Sequence, residues 1–230
     1  MKQVYLDNAA TTPVRLEVEV AMRPYFCEKY GNPSGVYQMS SENRGMIENV
    51  REQIAKTLNA SAEEIYFTSG GTESDNWALV GCAYANRRQG KHIISTVFEH
   101  AAVSAPLAAL EEQGFEITKI PVDANGILSM EKLESAIRPD TILVSTMYVN
   151  NEVGAVVPVE EIGKLVHEKN PKTIYHVDAI QGYGKFRIYP KRMGIDLLSV
   201  SSHKIHGPKG VGFLYVNEKI KIQPMILGGG

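Results

Sequence analysis

Short apolar runs rich in β-branched residues alternate with longer helical patterns along most of this chain, and that alternation restricts its fold more than any other feature. Seven runs read as strands, at 64–69, 92–98, 115–122, 141–149, 174–177, 196–200 and 212–216. Residues 72–88, 129–137 and 159–169 carry helical patterns between them. Runs such as Thr141-Ile142-Leu143-Val144 are apolar without a break, which is the pattern of a sheet covered on both faces. The strand–helix order predicts an α/β fold with a largely parallel sheet. Only a short Gly/Pro loop joins the last two strands and leaves no room for a crossover helix, so that pair is expected to be antiparallel or not adjacent.

In open α/β sheets, ligands bind outside the carboxyl ends of the strands. Five of the seven predicted strands end in clusters of reactive or hydrogen-bonding side chains. These are Ser69-Gly70-Gly71-Thr72, Glu99-His100, Asn150-Asn151-Glu152, Asp178-Ala179-Ile180-Gln181 and Ser201-Ser202-His203-Lys204. Their convergence predicts a site at that edge.

Each cluster suggests a chemistry. The glycines of Gly70-Gly71-Thr72-Glu73-Ser74-Asp75 permit a tight turn and close approach of a ligand. Thr72 is a good N-cap with Asp75 three residues on, close to a capping box, and a helix start with free N–H groups binds phosphate. A capped helix with no ligand is the competing reading. The run has no Lys-Ser/Thr and is not a Walker loop; it is not G-x-G-x-x-G either, which weakens a nicotinamide reading. Lys204 follows Ser201, Ser202 and His203 at the ligand edge. Desolvation or a neighbouring cation would lower the pKa of its amine and make it nucleophilic, as a Schiff base with an aldehyde cofactor requires. Lys209, in the turn Gly207-Pro208-Lys209-Gly210, is the rival, with a structural or solvated role. Asp178 could cap a turn or bind a cation; in a pyridoxal site it would pair with the ring nitrogen and strengthen the electron sink. Gln181 and Asn151 could bond the phenolic oxygen, or simply serve their loops. His100 opens a helix, where an imidazole can cap, or stack on an aromatic ring and pass protons. His92, His167, His176 and His206 suggest no chemistry.

The formal charge of −2, from 24 basic and 26 acidic residues, leaves no footprint for nucleic acid. Two cysteines cannot build a disulfide framework, and no Cys/His spacing suggests zinc, so no metal is expected. Cys82 shares a helical face with Ala78 and Ala85 and reads as core; Cys27 reads as structural. Asp7 arrives too early for a signal segment, and no run of 18 apolar residues exists, so the cytoplasm is the expected location and no membrane contact is expected.

With these residues in hand, the chain resembles the cysteine desulfurases of the NifS/IscS kind, in the class V aminotransferase-like group. The resemblance runs from Tyr5-Leu6-Asp7-Asn8-Ala9-Ala10-Thr11-Thr12 to the final glycines. It rests on 67–76, Glu99-His100-Ala101-Ala102-Val103, Val149-Asn150-Asn151-Glu152-Val153-Gly154, His176-Val177-Asp178-Ala179 with Gln181, and Ser201-Ser202-His203-Lys204 with Gly207-Pro208-Lys209-Gly210. It implies the fold type I architecture of pyridoxal 5'-phosphate enzymes, with a seven-stranded, mostly parallel large-domain sheet covered by helices. Residues 16–230 would form that cofactor-binding domain, 1–15 would begin an incomplete small domain, and the small C-terminal domain would be absent. Lys204 would hold the cofactor covalently and His100 would stack on its ring. Asp178 would hold the ring nitrogen, with Gln181 and Asn151 near the phenolic oxygen. Gly71, Thr72, Ser201 and His203 would hold the phosphate, with Ser202 in the same cofactor-binding group.

The resemblance also implies a reaction: L-cysteine to L-alanine, with sulfur passed as a persulfide for iron–sulfur assembly or to another acceptor or scaffold protein, by a homodimer. The chain departs from the family at Asn32-Pro33-Ser34-Gly35-Val36-Tyr37, where a second serine and then a histidine are usual. In the family, the cysteine that takes the sulfur and the arginine that grips the substrate carboxylate lie beyond the glycine run. The 230 residues alone are therefore expected to bind cofactor weakly without desulfurating cysteine. The alternatives are a non-catalytic protein that depends on a partner, and a selenocysteine lyase or other class V enzyme.

Overall fold

Each of the seven apolar runs forms a strand in the computed structural model of the protein, which describes residues 4–228. The strands are β1 (Ile65–Thr68), β2 (His92–Thr96), β3 (Glu116–Ile120), β4 (Thr141–Met147), β5 (Ile174–Asp178), β6 (Leu197–Ser201) and β7 (Gly212–Val216). They form one sheet in the order β1-β7-β6-β5-β4-β2-β3. The run from β6 to β3 is parallel. β7 pairs antiparallel with both β6 and β1, so the last two strands are adjacent as well as antiparallel. Several predicted strands extend past the observed ends; for 92–98 and 141–149 the surplus residues bend into the loops that carry the site.

Successive side chains of a strand point to opposite faces, and the central strands divide accordingly. Ile94, Val144, Tyr175, Leu198 and Tyr215 face one core with Ile162 and Val166 of the helix Val159–Lys169. Ile93, Leu143, Ile174, Leu197 and Leu214 face the other, with Leu79 and Cys82 from one helical rod and Val103 and Leu107 from another. Helices on both faces explain why β2, β4, β5, β6 and β7 are buried along their whole length.

The predicted helix 72–88 is a rod with an irregular middle: Gly71–Asn76, a wide π-type turn at Trp77–Gly81, then Cys82–Asn86. It packs beside the helix Ala101–Glu112, which contains Pro106. A proline inside a helix frees the carbonyl four residues back; here Asn76 Nδ2 donates to that carbonyl, Ala102 O, in a long 3.4 Å bond. The predicted helix 129–137 is Met130–Ala136 with Ser129 as its cap. The 21-residue helix Gln38–Leu58 lies outside the sequence expectations above. Cys82 is buried as expected, whereas Cys27, read as structural, is exposed. Among the described residues, no helix is long and apolar enough to cross a membrane.

Candidate active site

At the carboxyl edge of the sheet, the strand ends and their loops enclose a cavity of about 470 Å³. Nine of the ten residues singled out from the sequence line it: Gly71, Thr72, His100, Asn151, Asp178, Gln181, Ser201, His203 and Lys204. Ser202 does not, because its hydroxyl turns away to the Pro208 carbonyl and fastens the following turn. Asp7, Ala9 and Ala10 also line the cavity. Strand-end reasoning could not find them, since they come from a segment that crosses the site from outside the sheet.

The wall after β1 is shaped by two glycines. Gly70 has φ +147°, a conformation open mainly to glycine. A Cβ on Gly71 would lie 2.1 Å from Ile180 Cδ1, so any side chain there would have to displace Ile180. The capping expected of Thr72 and Asp75 does not form. Gly70 occupies the N-cap position, and Glu73 reaches back to accept from Ser69 N at 2.7 Å. Thr72 is left in the first turn, exposed beside the cavity.

Asp75 turns inward instead, onto a layer that the sequence reading left without chemistry. Along the face covered by this helix, the apolar positions Ile93, Leu143, Ile174 and Leu197 are followed one pleat later by Ser95, Ser145, His176 and Ser199, all buried. The His176 ring bridges Ser145 and Ser199, at 2.9 Å from Nδ1 and 2.9 Å from Nε2. Asp75 Oδ1 stands 3.6 Å from His176 Nε2. Burial pushes the His176 pKa down to about 3 and that of Asp75 well above the usual carboxylate range, the latter with help from the charge of Asp178. This buried polar layer lies just beneath the cavity floor. Glu99 joins it from β2's end: its Oε1 accepts from Thr96 Oγ1 and from Met147 N, and its Oε2 is sealed from water without a partner. Burial lifts the Glu99 pKa to about 8.

Asp178, the last residue of β5, forms part of the floor. Burial raises its pKa to about 6, against the pull of Ile180 N–H, His100 and Lys204. Its Oδ1 accepts from Ile180 N at 2.9 Å. Lys204, half-buried across the cavity, has its pKa lowered by burial and by Lys185, while Asp7 and Asp178 oppose the shift. Its Nζ donates to the carbonyls of Ala9 and Ala10. Burial and then Lys204 and Lys209 lower the pKa of His203, whose Nδ1 meets Thr11 Oγ1 at 3.1 Å. Gln181 Nε2 donates to Ala9 O at 2.7 Å, and Asn151 Nδ2 to Glu152 Oε1 at 2.6 Å. His100 caps the helix Ala101–Glu112 by accepting from Ala102 N at Nδ1, 3.1 Å, which leaves Nε2 as the protonated nitrogen of a neutral ring. Lys209 lies outside this cavity, on a neighbouring recess beside Gly70 and Glu73.

The model of the class-V aminotransferase family matches residues 4–230. The cysteine desulfurase IscS of Methanosarcina thermophila is 50% identical over 228 residues, 99% of this chain and 56% of its own length. That of Dictyoglomus turgidum is 49% identical over 99% of this chain and 57% of its own length. The chain thus spans little more than half the length of these curated relatives. Among solved structures, a NifS-like protein superposes with a TM-score of 0.97 at 43% identity, over 100% of this chain and 63% of its own. The apo cysteine desulfurase of Thermococcus onnurineus NA1 gives 0.91 at 31% identity, over 99% and 57%. The chain belongs to the class V aminotransferase family, a family of pyridoxal-phosphate-dependent enzymes.

Proposed function

We propose that this chain forms the cofactor-holding part of a cysteine desulfurase, with pyridoxal phosphate attached at Lys204 Nζ. L-cysteine would be the substrate, and its sulfur would pass to an acceptor or scaffold protein. The observation that carries this reading is one cavity with an amine on one wall and a buried carboxylate on its floor, Lys204 and Asp178. The relatives that are 50% identical bear the name cysteine desulfurase, which supports the substrate.

The residues present fit the cofactor. One oxygen of Asp178 is engaged by Ile180 N, and no other hydrogen bond reaches its carboxylate among the described residues, which leaves room for a protonated ring nitrogen. Gly71 keeps the backbone bare beside the hydroxyls of Thr72 and Ser201, which would hold the phosphate together with His203. Bound there, pyridoxal phosphate supplies an electron sink for negative charge developing at a substrate's α-carbon. Asp178, with a pKa of about 6, is ionised at neutral pH and would keep a proton on that ring nitrogen. His100 would stack over the ring and pass a proton at Nε2. The lowered pKa of Lys204 would let Nζ take up and return a proton near the substrate. Gln181 and Asn151 would exchange their present partners, Ala9 and Glu152, for the phenolic oxygen.

Neither cysteine is placed to receive sulfur. Cys82 is sealed in the core, where burial pushes its thiol pKa up to about 12, and Cys27 is exposed away from the cavity. The sulfur-taking nucleophile would therefore come from outside these residues. Exposed apolar side chains on the N-terminal part, among them Leu6, Leu16, Phe26 and Val36, support a covered face in the assembled protein, a homodimer in this reading.

The test is borohydride reduction of the chain loaded with pyridoxal phosphate, followed by peptide mass mapping. The cofactor mass is expected on Lys204 and nowhere in Lys204→Ala. Attachment at Lys185 or Lys209 instead would overturn the assignment. The same preparation, given cysteine, is expected to release no sulfide.

A further inference from the structure

Residues 7–13 cross the cavity and are tied down on both of its sides. On one side, Gln181 Nε2 donates to Ala9 O at 2.7 Å. On the other, the Lys204 amine donates to Ala9 O and to Ala10 O, the latter at 2.8 Å. Beyond the cavity the segment is pinned to the turn that carries Lys204. Thr12 N and Thr12 Oγ1 both donate to His203 O at 2.8 Å, and Thr12 Oγ1 accepts from His206 N at 2.7 Å. His206 closes the clasp, its Nδ1 3.1 Å from Pro13 O, with its own backbone at φ +66°. Thr12 is buried but lines neither the cavity nor the neighbouring recess.

We propose that residues 7–13 form a strap that docks the Lys204 amine on the Ala9 and Ala10 carbonyls whenever that amine is not covalently engaged, and that Thr12 is the positioning residue that holds the strap in register. The inference rests on the assignment of Lys204 as the cofactor-holding residue. A lysine amine carries three donor hydrogens when protonated and can serve two carbonyls at once. Condensation with an aldehyde expels one water, and the nitrogen, now double-bonded to carbon, retains at most one hydrogen. It cannot keep both carbonyls. The strap therefore competes with the cofactor for Lys204 and receives the amine again each time a substrate amine displaces it. Ala9 and Ala10 act through backbone atoms, so side-chain substitution there cannot test the idea. Thr12 can be tested, because its hydroxyl serves His203 O and His206 N simultaneously and valine keeps its shape without that hydroxyl.

The experiment measures acylation of individual lysines of the apo chain by limiting acetic anhydride, read by mass spectrometry, alongside amide hydrogen exchange. Thr12→Val is expected to raise Lys204 acylation about fivefold relative to exposed Lys172, roughly what loss of one hydrogen bond would give. It is also expected to speed exchange at Ala10 and Thr12, and Thr12→Ser should restore both. Faster exchange with Lys204 acylation unchanged would overturn the docking, and unchanged exchange would overturn the role of Thr12. Should Thr12→Val not fold, the unsubstituted chain serves. Pyridoxal phosphate at saturating concentration, left unreduced so that the Lys204 nitrogen keeps at most one hydrogen, should expose the Ala10 amide while Thr12 stays protected, and an Ala10 amide as protected as in the apo chain would sink the proposal. Failure of the assignment itself reads differently, as no cofactor mass on Lys204.

Discussion

The carboxyl end of the central sheet and the amino ends of β1, β3 and β4 follow opposite electrostatic plans. At the amino ends of β1, β3 and β4, charges are paired, most of them near water. Arg138 donates to both oxygens of Glu116, at 2.6 and 2.8 Å, and to Asp140 at 3.0 and 3.1 Å, and these bonds hold both carboxyls below their usual range. Even buried Glu64 is drawn below its usual pKa, its burial outweighed by Ser61 N–H, Lys191 and Glu218 N–H. At the carboxyl ends the signs reverse: burial lifts Asp75, Glu99 and Asp178 and lowers Lys204 and His203. Both carboxylate oxygens of Asp75 and Oε2 of Glu99 are buried without a hydrogen-bond partner. A stable fold gains nothing from such a layer, since unpaired buried polar groups cost free energy. Perturbed ionisation of this kind gathers where a ligand is to be bound and a proton moved.

The strongest way to break this contrast is Asp178→Asn. The amide keeps the shape and can still accept from Ile180 N, but it cannot hold a proton on the ring nitrogen as a carboxylate does. Affinity for pyridoxal phosphate, followed by absorbance titration, is expected to fall about tenfold or more, the size of a charge-assisted bond. Stability should move the other way. A carboxyl whose folded pKa is raised from 3.8 to about 6 contributes stability below that window and loses it as the pH rises through it. The apo variant should therefore gain on the parent chain between pH 3.8 and about 6 and keep that gain above it, as urea unfolding would register. Loss of affinity and of stability together would mean that Asp178 supports the fold like any other buried polar group.

How far the sequence reveals this contrast depends on which end is considered. The seven strands are legible because buried parallel strands must be apolar on both faces, and the polar clusters are legible because they interrupt those runs at one end. Asp75 was legible only as a capping residue, since nothing local indicates that the helix rotates it onto His176. The layer of Ser95, Ser145, His176 and Ser199 is scattered over four strands, and only sheet register assembles it. The helix Gln38–Leu58 is absent from the sequence expectations although Ile47, Val50, Ile54 and Leu58 recur at helical spacing, and its buried positions are Ser40, Asn43, Ala55 and Leu58. The strap over Lys204 escaped because strand periodicity says nothing about where an irregular segment returns.

Glu99→Gln tests the buried layer without touching the cavity. Glu99 has its pKa raised from 4.5 to about 8, so its contribution to stability is complete below the lower value and is lost as the pH rises through the upper one. Glutamine keeps an acceptor for Thr96 and Met147 but does not titrate. The parent chain should lose stability across that window and the variant should lose less, so their unfolding curves diverge in the variant's favour between pH about 4.5 and about 8. Parallel curves would show that water reaches Glu99 and that the carboxyl end is less dry than its geometry indicates.

The smallest effect belongs to the paired end. Arg138→Ala removes the exposed bonds to Glu116 and Asp140 but leaves Arg138 N donating to Thr141 Oγ1 and leaves His92 between Thr141 and Thr118. Exposed ion pairs contribute little and are screened by salt, so a slight fall in Tm at low ionic strength should shrink as salt is added. Uptake of cofactor by Lys204 should be unaltered, because the whole length of β2 and β4 separates Arg138 from the cavity. Slower uptake in this variant would mean that strain at one end of those strands is felt at Glu99 and Met147 at the other. The sheet would then couple its two ends and could not be treated as a rigid floor between two independent charge arrangements.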